Sequence, residues 1–299
     1  MQAERIKIGV TWGLLRLVGM LPLPLLQRLG AGLGTLARWF NLREAKVARR
    51  SLALCFPAMD EARREALWRQ NLRETGCTLT ETLRFWTRPS AINLRHVVAV
   101  EGAQLLDAAL ASGRGVIIAA PHLGNWELLN QWLASRSPLA IVYRPPRKDW
   151  MDAVIRRARG QPGVTQVRAE AAGVRTLFKR LRQGGMIGIL PDQQPKRGEG
   201  EFAPFYEIPA LTMALLPRLA HKTGATVLMA FAERLPNRGG FCIHLRPAPA
   251  AIAAEDTQVA ASAHNAPDEA CNALAPAQYQ WSYKRFTIRP AGEAAMEYR

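Results

Sequence analysis

The stretch Gly115-Val-Ile-Ile-Ala-Ala-Pro-His122-Leu-Gly-Asn-Trp-Glu127-Leu-Leu-Asn-Gln-Trp-Leu-Ala134 decides the fold. Its apolar run at 116–120 predicts a short buried strand, and the Pro, Gly and Asn that follow predict a turn. An apolar pattern of helical period comes next. We therefore expect His122 at the end of a strand and Glu127 in the first turn of a helix. In α/β folds, chemistry lies outside the carboxyl ends of strands, which is where this places both residues.

The spacing of this pair is not informative by itself. Three of the five histidines have an acid five residues downstream: His96 with Glu101, His122 with Glu127, and His264 with Glu269. The first pair lies in a strand-like run, where residues five apart point to opposite faces. The third lies in a polar, alanine-rich stretch with no strand before it. His122 differs from both because a strand precedes it and a tight turn follows it.

Length and composition indicate a globular protein with anionic partners. The chain has 299 residues, enough for one large domain or two modest ones, with 48% hydrophobic and 21% charged residues. Its formal net charge is +16. Such a charge favours nucleic acid, acidic proteins or anionic membranes as partners.

The four cysteines are widely scattered and include no C-x-x-C pair. This distribution is typical of free thiols in a reducing compartment, and it supports neither a disulfide framework nor a zinc site. We therefore expect no metal ion.

The N-terminal segment has a composition of its own. Residues 8–37 are rich in Leu, Gly and Trp, but Arg16 and Arg28 interrupt them and two prolines, Pro22 and Pro24, break them. A spanning helix needs about 20 mostly apolar residues, and the longest uncharged run here is shorter. A secretory signal is not expected. Three interpretations stay open: a spanning or re-entrant anchor, an interfacial amphipathic helix, or an ordinary pair of core helices. We expect residues 1–40 to anchor the protein to a membrane and residues 41–299 to form the catalytic domain.

From His96 onward, strands and helices alternate. Residues 43–87 are expected to be helical with an interruption at Pro57, and 254–274 are expected to be helical as well. Predicted strands lie at 96–100, 116–120, 139–143, 186–190, 226–232 and 241–245. Predicted helices lie at 103–111, 126–134, 149–159, 173–183 and 209–223. This alternation predicts an α/β fold in which helices flank a central, mostly parallel or mixed sheet.

Three predicted strands end in polar groups: His122, Arg144 and Asp192. The ends of parallel strands share one edge, so these side chains are expected to converge. G-x-S-x-G, P-loop and G-x-G-x-x-G motifs are absent from the sequence. A His with a carboxylate and no nearby Ser or Cys favours general-base activation of a substrate hydroxyl, with Glu127 fixing the imidazole tautomer. This set of groups suits acyl transfer to a hydroxyl without a metal or a covalent enzyme intermediate.

These residues also carry a family resemblance. Pro121-His-Leu-Gly-Asn-Trp-Glu127 resembles the H-x-x-x-x-D/E motif of lipid acyltransferases. Together with Val142-Tyr-Arg-Pro145, Ile189-Leu-Pro-Asp-Gln193 and Gln278-Tyr-Gln-Trp-Ser-Tyr-Lys-Arg-Phe286, it resembles the bacterial lipid A secondary (lauroyl/myristoyl) acyltransferases over nearly the whole chain. The Pro-Glu-Gly-Thr-Arg motif of glycerophosphate acyltransferases is absent, which favours a glycolipid acceptor. One departure is Tyr283, where the family commonly has His.

The resemblance implies a glycerolipid-acyltransferase-like fold with N-terminal membrane-associated helices, in an inner-membrane enzyme facing the cytoplasm. Its donor would be the thioester of acyl carrier protein, with no further cofactor, and its acceptor a hydroxyacyl chain on a phosphorylated glucosamine disaccharide. By matched position, His122 would be the base and Glu127 its partner. Arg144, Arg159 and Asp192 would bind substrate.

The expected partners are thus acyl carrier protein, a phosphorylated glycolipid and anionic inner-membrane lipid, and not nucleic acid. Two alternatives stay open. The first is an acyltransferase acting on another membrane glycolipid. The second is a basic membrane- or nucleic-acid-binding protein without catalysis, which would explain the charge but not the placement of His122 and Glu127.

Overall fold

The computed structural model describes residues 2–298, in which the chain forms eleven α-helices and nine β-strands. The helices are α1 Gln2–Gly19, α2 Leu23–Trp39, α3 Arg43–Cys55, α4 Glu61–Thr87, α5 Ser90–Asn93, α6 Ala103–Ala111, α7 Trp126–Arg136, α8 Asp149–Ala158, α9 Ala171–Arg182, α10 Leu215–Thr223 and α11 Thr257–Leu274. The strands are β1 Val97–Glu101, β2 Val116–Ala119, β3 Leu139–Tyr143, β4 Val164–Arg168, β5 Met186–Ile189, β6 Gly200–Phe205, β7 Ile208–Met213, β8 Thr226–Arg234 and β9 Phe241–Pro247.

A seven-stranded sheet forms the centre of the protein, in the order β1-β9-β8-β2-β5-β3-β4. Neighbouring strands are parallel except β8 and β9, which are antiparallel. The remaining strands, β6 and β7, form a separate hairpin. The predicted α/β class with a mostly parallel, mixed sheet flanked by helices is confirmed.

Both faces of the sheet are covered, which explains why β2 is apolar at every position. Ile117 and Ala119 pack into a cluster with side chains of α9, α10 and α11. Val116 and Ile118 point the other way and pack against α6 and α7. A strand buried on both faces has no polar alternation, so its sequence is a continuous hydrophobic run.

The register of the sheet places the predicted strand-end residues together. In the central part, Ala119 lies opposite Ile189 of β5 and Met229 of β8. His122 lies three residues after Ala119, and Asp192 lies three residues after Ile189, the partner of Ala119. Both residues therefore lie at the same distance beyond the ends of their strands.

The helix predicted over 209–223 is wrong in its first part. The structure has β7 at Ile208–Met213 and begins α10 only at Leu215. Tyr206 and Glu207, both with positive φ (49° and 64°), form the two-residue turn that pairs β7 with β6. A two-residue turn of this kind matches the twist of a β-hairpin. It brings β6 beside β7, and the sequence of 209–213 alone does not reveal this pairing partner. The strand Val164–Arg168 was also not predicted.

The N-terminal helices pack on α4 through glycines. A Cβ on Gly30 of α2 would lie 2.3 Å from the carbonyl oxygen of Gly76 in α4, so only glycine allows this approach. The opposite side of α1 and α2 is exposed and apolar, with Trp39 and Phe40 at 70% and 74% exposure. Among the described residues no single helix has the length and hydropathy of a membrane span. As a pair bent by 109°, Glu4–Gly19 and Leu23–Trp39 together pass that test.

A buried charge network joins these helices to the turn after β2. Arg234, at the end of β8, is 7% exposed and donates from Nε to Oε1 of the fully buried Glu81 on α4 (2.6 Å). It also pairs with Glu74. Glu81 in turn accepts from Gln27 Nε2 of α2 (2.8 Å) and from Asn125 Nδ2 before α7 (3.0 Å). The network therefore fixes α2, α4 and the His122 turn relative to one another.

Arg234→Met is expected to lower the free energy of unfolding by about 3–5 kcal/mol, because it leaves Glu81 buried without its counter-charge. Thermal unfolding of the purified protein, followed by circular dichroism, measures the effect. Arg238→Met is the matched control, since Arg238 is exposed in the next turn. Equal melting temperatures for the two variants would contradict a structural role for this network.

Candidate active site

His122 and Asp192 form a close pair where β2 and β5 end. The ring nitrogen Nδ1 of His122 lies 2.7 Å from Asp192 Oδ1, and the backbone N–H of His122 donates to Oδ2 at 3.1 Å. One carboxylate thus holds both the main chain and the ring of the histidine. The expected convergence of these two strand ends is present in the structure.

Asp192 is buried and ionised. Burial alone would raise the pKa of its carboxyl, but the charge and hydrogen bonds of His122 outweigh burial, and the pKa lies below its ordinary value. The Tyr279 hydroxyl also bonds to Asp192, and burial together with that carboxylate raises the pKa of Tyr279 well above its ordinary value. Tyr279 therefore stays protonated and donates to Asp192.

The hydrogen bond to Asp192 determines the tautomer of His122. Because an ionised carboxylate only accepts, Nδ1 carries a proton, and in the neutral form of the ring the lone pair is then on Nε2. Nε2 faces the side-chain amide of Gln193 at 3.4 Å, a long distance for a hydrogen bond. Gln193 is itself held by Gln280 Oε1 at 3.1 Å. The nitrogen on the open side of the ring is therefore the one that can accept a proton.

The turn carrying His122 is clamped from both sides. Gly124 has φ +63°, and a Cβ there would lie 1.9 Å from the carbonyl oxygen of Ala232 at the end of β8. The N–H of Asn125 donates to that same oxygen at 2.9 Å. From the C-terminal tail, the N–H of Gln280 donates to the carbonyl oxygen of His122 at 3.0 Å. The C-terminal motif at 278–286 thus packs directly on His122.

Glu127 is paired with Arg159 and not with the imidazole Nδ1. Arg159, directly after α8, donates from Nε to both carboxylate oxygens of Glu127 (3.0 and 3.2 Å), and its Nη2 bonds to Oε1. Burial would lower the pKa of Arg159, but the Glu127 charge raises it above its ordinary value. The sequence predicted that Glu127 fixes the tautomer of His122. In the structure the Nδ1 partner is Asp192, because β5 is the neighbour of β2 in the sheet while the start of α7 faces α8.

Arg144, the third predicted strand-end residue, lies at the same edge but is exposed. Burial raises the pKa of Tyr283, and the Arg144 charge opposes that rise more weakly. The Tyr283 hydroxyl faces the carbonyl oxygen of Gln194 at 3.5 Å. Across residues 2–298, no hydrogen bond joins Arg144 to His122 or Asp192. Arg144 therefore contributes charge near the site and leaves its donors to solvent or a ligand.

Several residues of the site were not singled out from the sequence. Gln193 and Gln280 belonged to quoted motifs but had no assigned role. Trp126 contacts the His122 ring edge-on, with centroids 5.2 Å apart.

His264, to which the sequence analysis assigned no chemistry, is fully buried on α11 with Asp268 at 3.5 Å. Burial and the Arg285 charge lower the pKa of His264 to about 4, so it is neutral near pH 7.

The geometry supports proton abstraction by an oriented imidazole, with Arg159 bound to Glu127 at the start of the following helix. This arrangement suits activation of a hydroxyl nucleophile. Among the described residues, the cluster of His, Cys and acidic side chains close enough to share a metal ion includes no residue of this site.

Comparisons with known proteins identify the family. The profile of the family described as "Bacterial lipid A biosynthesis acyltransferase" matches residues 4–287. The chain is 30% identical to the lipid A biosynthesis lauroyltransferase of Escherichia coli (strain K12), over 95% of this chain and 91% of the relative. It is 30% identical to the lipid A biosynthesis palmitoleoyltransferase of the same strain, over 96% and 94%. It is 25% identical to the myristoyltransferase of that pathway, over 90% and 82%.

The oriented His122 at the end of β2 and the match along nearly the whole chain agree with each other and with the predicted family. The chain belongs to the bacterial lipid A biosynthesis acyltransferase family, and it is an acyltransferase.

Proposed function

We propose that the protein transfers a fatty acyl chain from the thioester of acyl carrier protein to a hydroxyl of a lipid A precursor, with His122 as the general base. The observation that carries this proposal is the His122–Asp192 pair, which leaves Nε2 of His122 as an open acceptor. The lauroyl-, palmitoleoyl- and myristoyltransferase names of the relatives support a fatty acyl donor and a lipid A acceptor.

In the proposed reaction, His122 Nε2 removes the proton from the acceptor hydroxyl as its oxygen attacks the thioester carbonyl carbon. Asp192 stabilises the imidazolium that forms. The tetrahedral intermediate then collapses, the C–S bond breaks, and the imidazolium returns its proton to the departing thiolate. Backbone N–H groups at the start of α7 are the proposed donors to the oxyanion. The products are an ester and the free thiol of acyl carrier protein, and no further cofactor takes part.

The cationic groups are proposed to bind the acceptor phosphates. Arg159 uses Nε and Nη2 to bind Glu127, which leaves Nη1 available to a ligand. Glu127 would thus hold Arg159 in place beside the reacting groups. Arg144 is exposed at the same edge and supplies a second cation. Arginine suits this role because its planar fork matches the geometry of phosphate oxygens.

The N-terminal helices are proposed to bind the cytoplasmic face of the inner membrane, with residues 1–40 as anchor and 41–299 as catalytic domain. Large apolar side chains are exposed along one side of α1 and α2: Ile6, Val10, Leu14, Leu17, Leu25, Leu29, Leu33, Leu36, Trp39 and Phe40. Basic residues cluster in the last turn of α2 and along α3, at Arg38, Arg43, Lys46, Arg49 and Arg50. An apolar face bordered by cations is typical of binding to anionic lipid.

The double variant Leu29→Glu/Leu33→Glu is expected to weaken binding to vesicles of phosphatidylethanolamine and phosphatidylglycerol by at least about 100-fold, since burying each leucine is worth about 1.5–3 kcal/mol. Vesicle flotation measures the bound fraction. The control is Val259→Glu/Leu274→Glu, which places the same charges on exposed apolar positions of α11. If both double variants floated like the unmodified protein, this face would not be the membrane contact.

The proposed reaction is tested by mass spectrometry of its products. The protein is incubated with acyl carrier protein thioesters of several chain lengths and with tetra- and penta-acylated lipid A precursors. We expect a precursor to gain the mass of one acyl chain, with equimolar release of free acyl carrier protein thiol. Acyl transfer to another membrane glycolipid, and not to a lipid A precursor, would contradict the proposed acceptor. A salt-sensitive mobility shift of duplex DNA without consumption of the thioester would contradict the proposed acyl-transfer reaction.

A further inference from the structure

We propose that Glu101, Cys242 and His244 form a binding site for a zinc ion on the edge of the central sheet, independent of the acyl-transfer site. Glu101 is the last residue of β1, and Cys242 and His244 lie two residues apart on β9. One ligand atom from each of the three lies within 4.8 Å of the other two. The site would take a divalent cation of the zinc type.

The sheet register brings these three side chains together. Glu101 lies directly opposite His244 across the parallel β1–β9 pair. Residues two apart on a strand point to the same face, so Cys242 shares that face with His244. Glu233 of β8 lies opposite Cys242 and therefore joins the same face from the other side. The cluster thus draws on three adjacent strands.

The contacts of His244 resemble those of a histidine that binds zinc. Its Nδ1 lies 3.0 Å from Glu101 Oε2, on the side of the proposed ion. Its Nε2 lies 2.8 Å from Glu233 Oε2. Zinc-binding histidines usually donate their second N–H to a carboxylate, which fixes the tautomer and ring orientation. Phe231 stacks on the ring at 4.5 Å and fixes its plane.

The donor set favours zinc over harder ions. A thiolate, an imidazole and a carboxylate are all common zinc ligands, whereas calcium and magnesium bind oxygen ligands. Binding would release the thiol proton of Cys242, and the ion would take the lone pair of Nδ1 of His244. Cys242 and His244 are buried, while the Glu101 side chain is 62% exposed. Solvent can therefore deliver the ion, and a water molecule can complete four-coordination.

The ion would connect the edge strand β1 to the rest of the sheet. Among the strands of residues 2–298, β1 pairs with β9 alone, and their register is irregular between Val97 and Ala99. β1 directly follows the N-terminal helical region, which ends with the 3-10 turn Leu94–His96, so an ion bound at Glu101 would stabilise the junction between that region and the sheet. The proposed role is structural, and it does not depend on the function proposed above.

Titration of the full-length metal-free protein with Co²⁺ tests the site. We expect one Co²⁺ per chain, tetrahedral visible bands and a near-ultraviolet thiolate charge-transfer band, all removed by equimolar Zn²⁺. Cys242→Ser should abolish the charge-transfer band, and His244→Gln and Glu101→Gln should each weaken Zn²⁺ binding by at least about 10-fold in competition with a chromophoric chelator. Glu233→Gln should weaken it by about 10–100-fold.

Cys271→Ser and His221→Gln are the matched controls and should bind Co²⁺ and Zn²⁺ as the unmodified chain does. Glu101 is exposed on an edge strand, so Glu101→Gln should fold even if the change at Cys242 does not. At the same Zn²⁺ concentration, the melting temperature of the unmodified protein should rise more than that of Glu101→Gln. Absence of an equimolar Co²⁺ complex, or unchanged binding in Cys242→Ser and Glu101→Gln, would overturn the proposal.

Discussion

His122→Ala is expected to lower kcat for acyl transfer by about 10²–10⁴-fold, the contribution of a positioned general base. The imidazole is the proposed acceptor of the hydroxyl proton, and no other group of the described site presents a lone pair at the same position. The fold should persist because the turn is held by main-chain bonds of Gly124, Asn125 and Gln280, which the substitution leaves in place. Initial rates with saturating donor and acceptor measure the effect.

The matched control is His96→Ala, which removes a half-buried imidazole outside the proposed chemistry. It should retain most of the transfer activity. Circular dichroism of both variants shows whether each remains folded. An active His122→Ala enzyme would end the general-base account, whatever the behaviour of the other variants.

Asp192→Asn is expected to lower kcat by up to about 10⁴-fold with little change in the fold, as the equivalent change does in serine-protease triads. A neutral amide can donate to Nδ1 and so favour the tautomer with its proton on Nε2, which cannot act as a base. It also removes the negative charge that stabilises the imidazolium. The ratio of kcat for the unmodified and variant enzymes measures the loss.

Glu127→Gln distinguishes the two carboxylates of the site. It removes the counter-charge of Arg159 and not the acceptor of the His122 ring. We therefore expect its main effect on the KM for the phosphorylated acceptor, while Asp192→Asn acts mainly on kcat. If Glu127→Gln instead matched Asp192→Asn in kcat with an unchanged KM, Glu127 would act in the chemical step and not in binding the acceptor through Arg159.

Acidification gives a second measure of the Asp192 interaction. The folded-state pKa of Asp192 lies below its ordinary value of 3.8. Its contribution to stability is therefore complete above pH 3.8 and is lost as the pH falls through the lower folded-state value. Between pH 3.8 and that lower value, the unmodified protein should therefore lose stability more steeply than Asp192→Asn, as followed by melting temperature against pH.

The sequence predicted most of the strand–helix alternation because strands buried on both faces are continuous apolar runs. The run at 116–120 and the turn after it folded as expected into β2 and the start of α7. The hairpin of β6 and β7 could not be predicted in the same way, because the apolar run at 209–213 suits a helix or a strand equally. Its pairing partner, supplied through the Tyr206–Glu207 turn, decides between them.

The sequence predicted where the candidate site lies in the fold, but not which carboxylate bonds to His122. A polar residue after each parallel strand predicts a common edge, and His122 and Asp192 meet there. Whether Asp192 or Glu127 bonds to His122 depends on the order of strands in the sheet. β5 lies beside β2 although β3 and β4 separate them in the chain, and this places Asp192 next to His122. The tail contact of Gln280 and the cluster of Glu101, Cys242 and His244 depend on contacts distant in sequence, which spacing along the chain does not reveal.

The central claim is tested most directly by the mass of the acceptor after incubation with acyl carrier protein thioester. With the unmodified protein, we expect a lipid A precursor to gain one acyl chain for each free acyl carrier protein thiol released, and with His122→Ala we expect neither change above the uncatalysed rate. A precursor of unchanged mass with the unmodified protein, or equal mass gain with His122→Ala, would contradict the account.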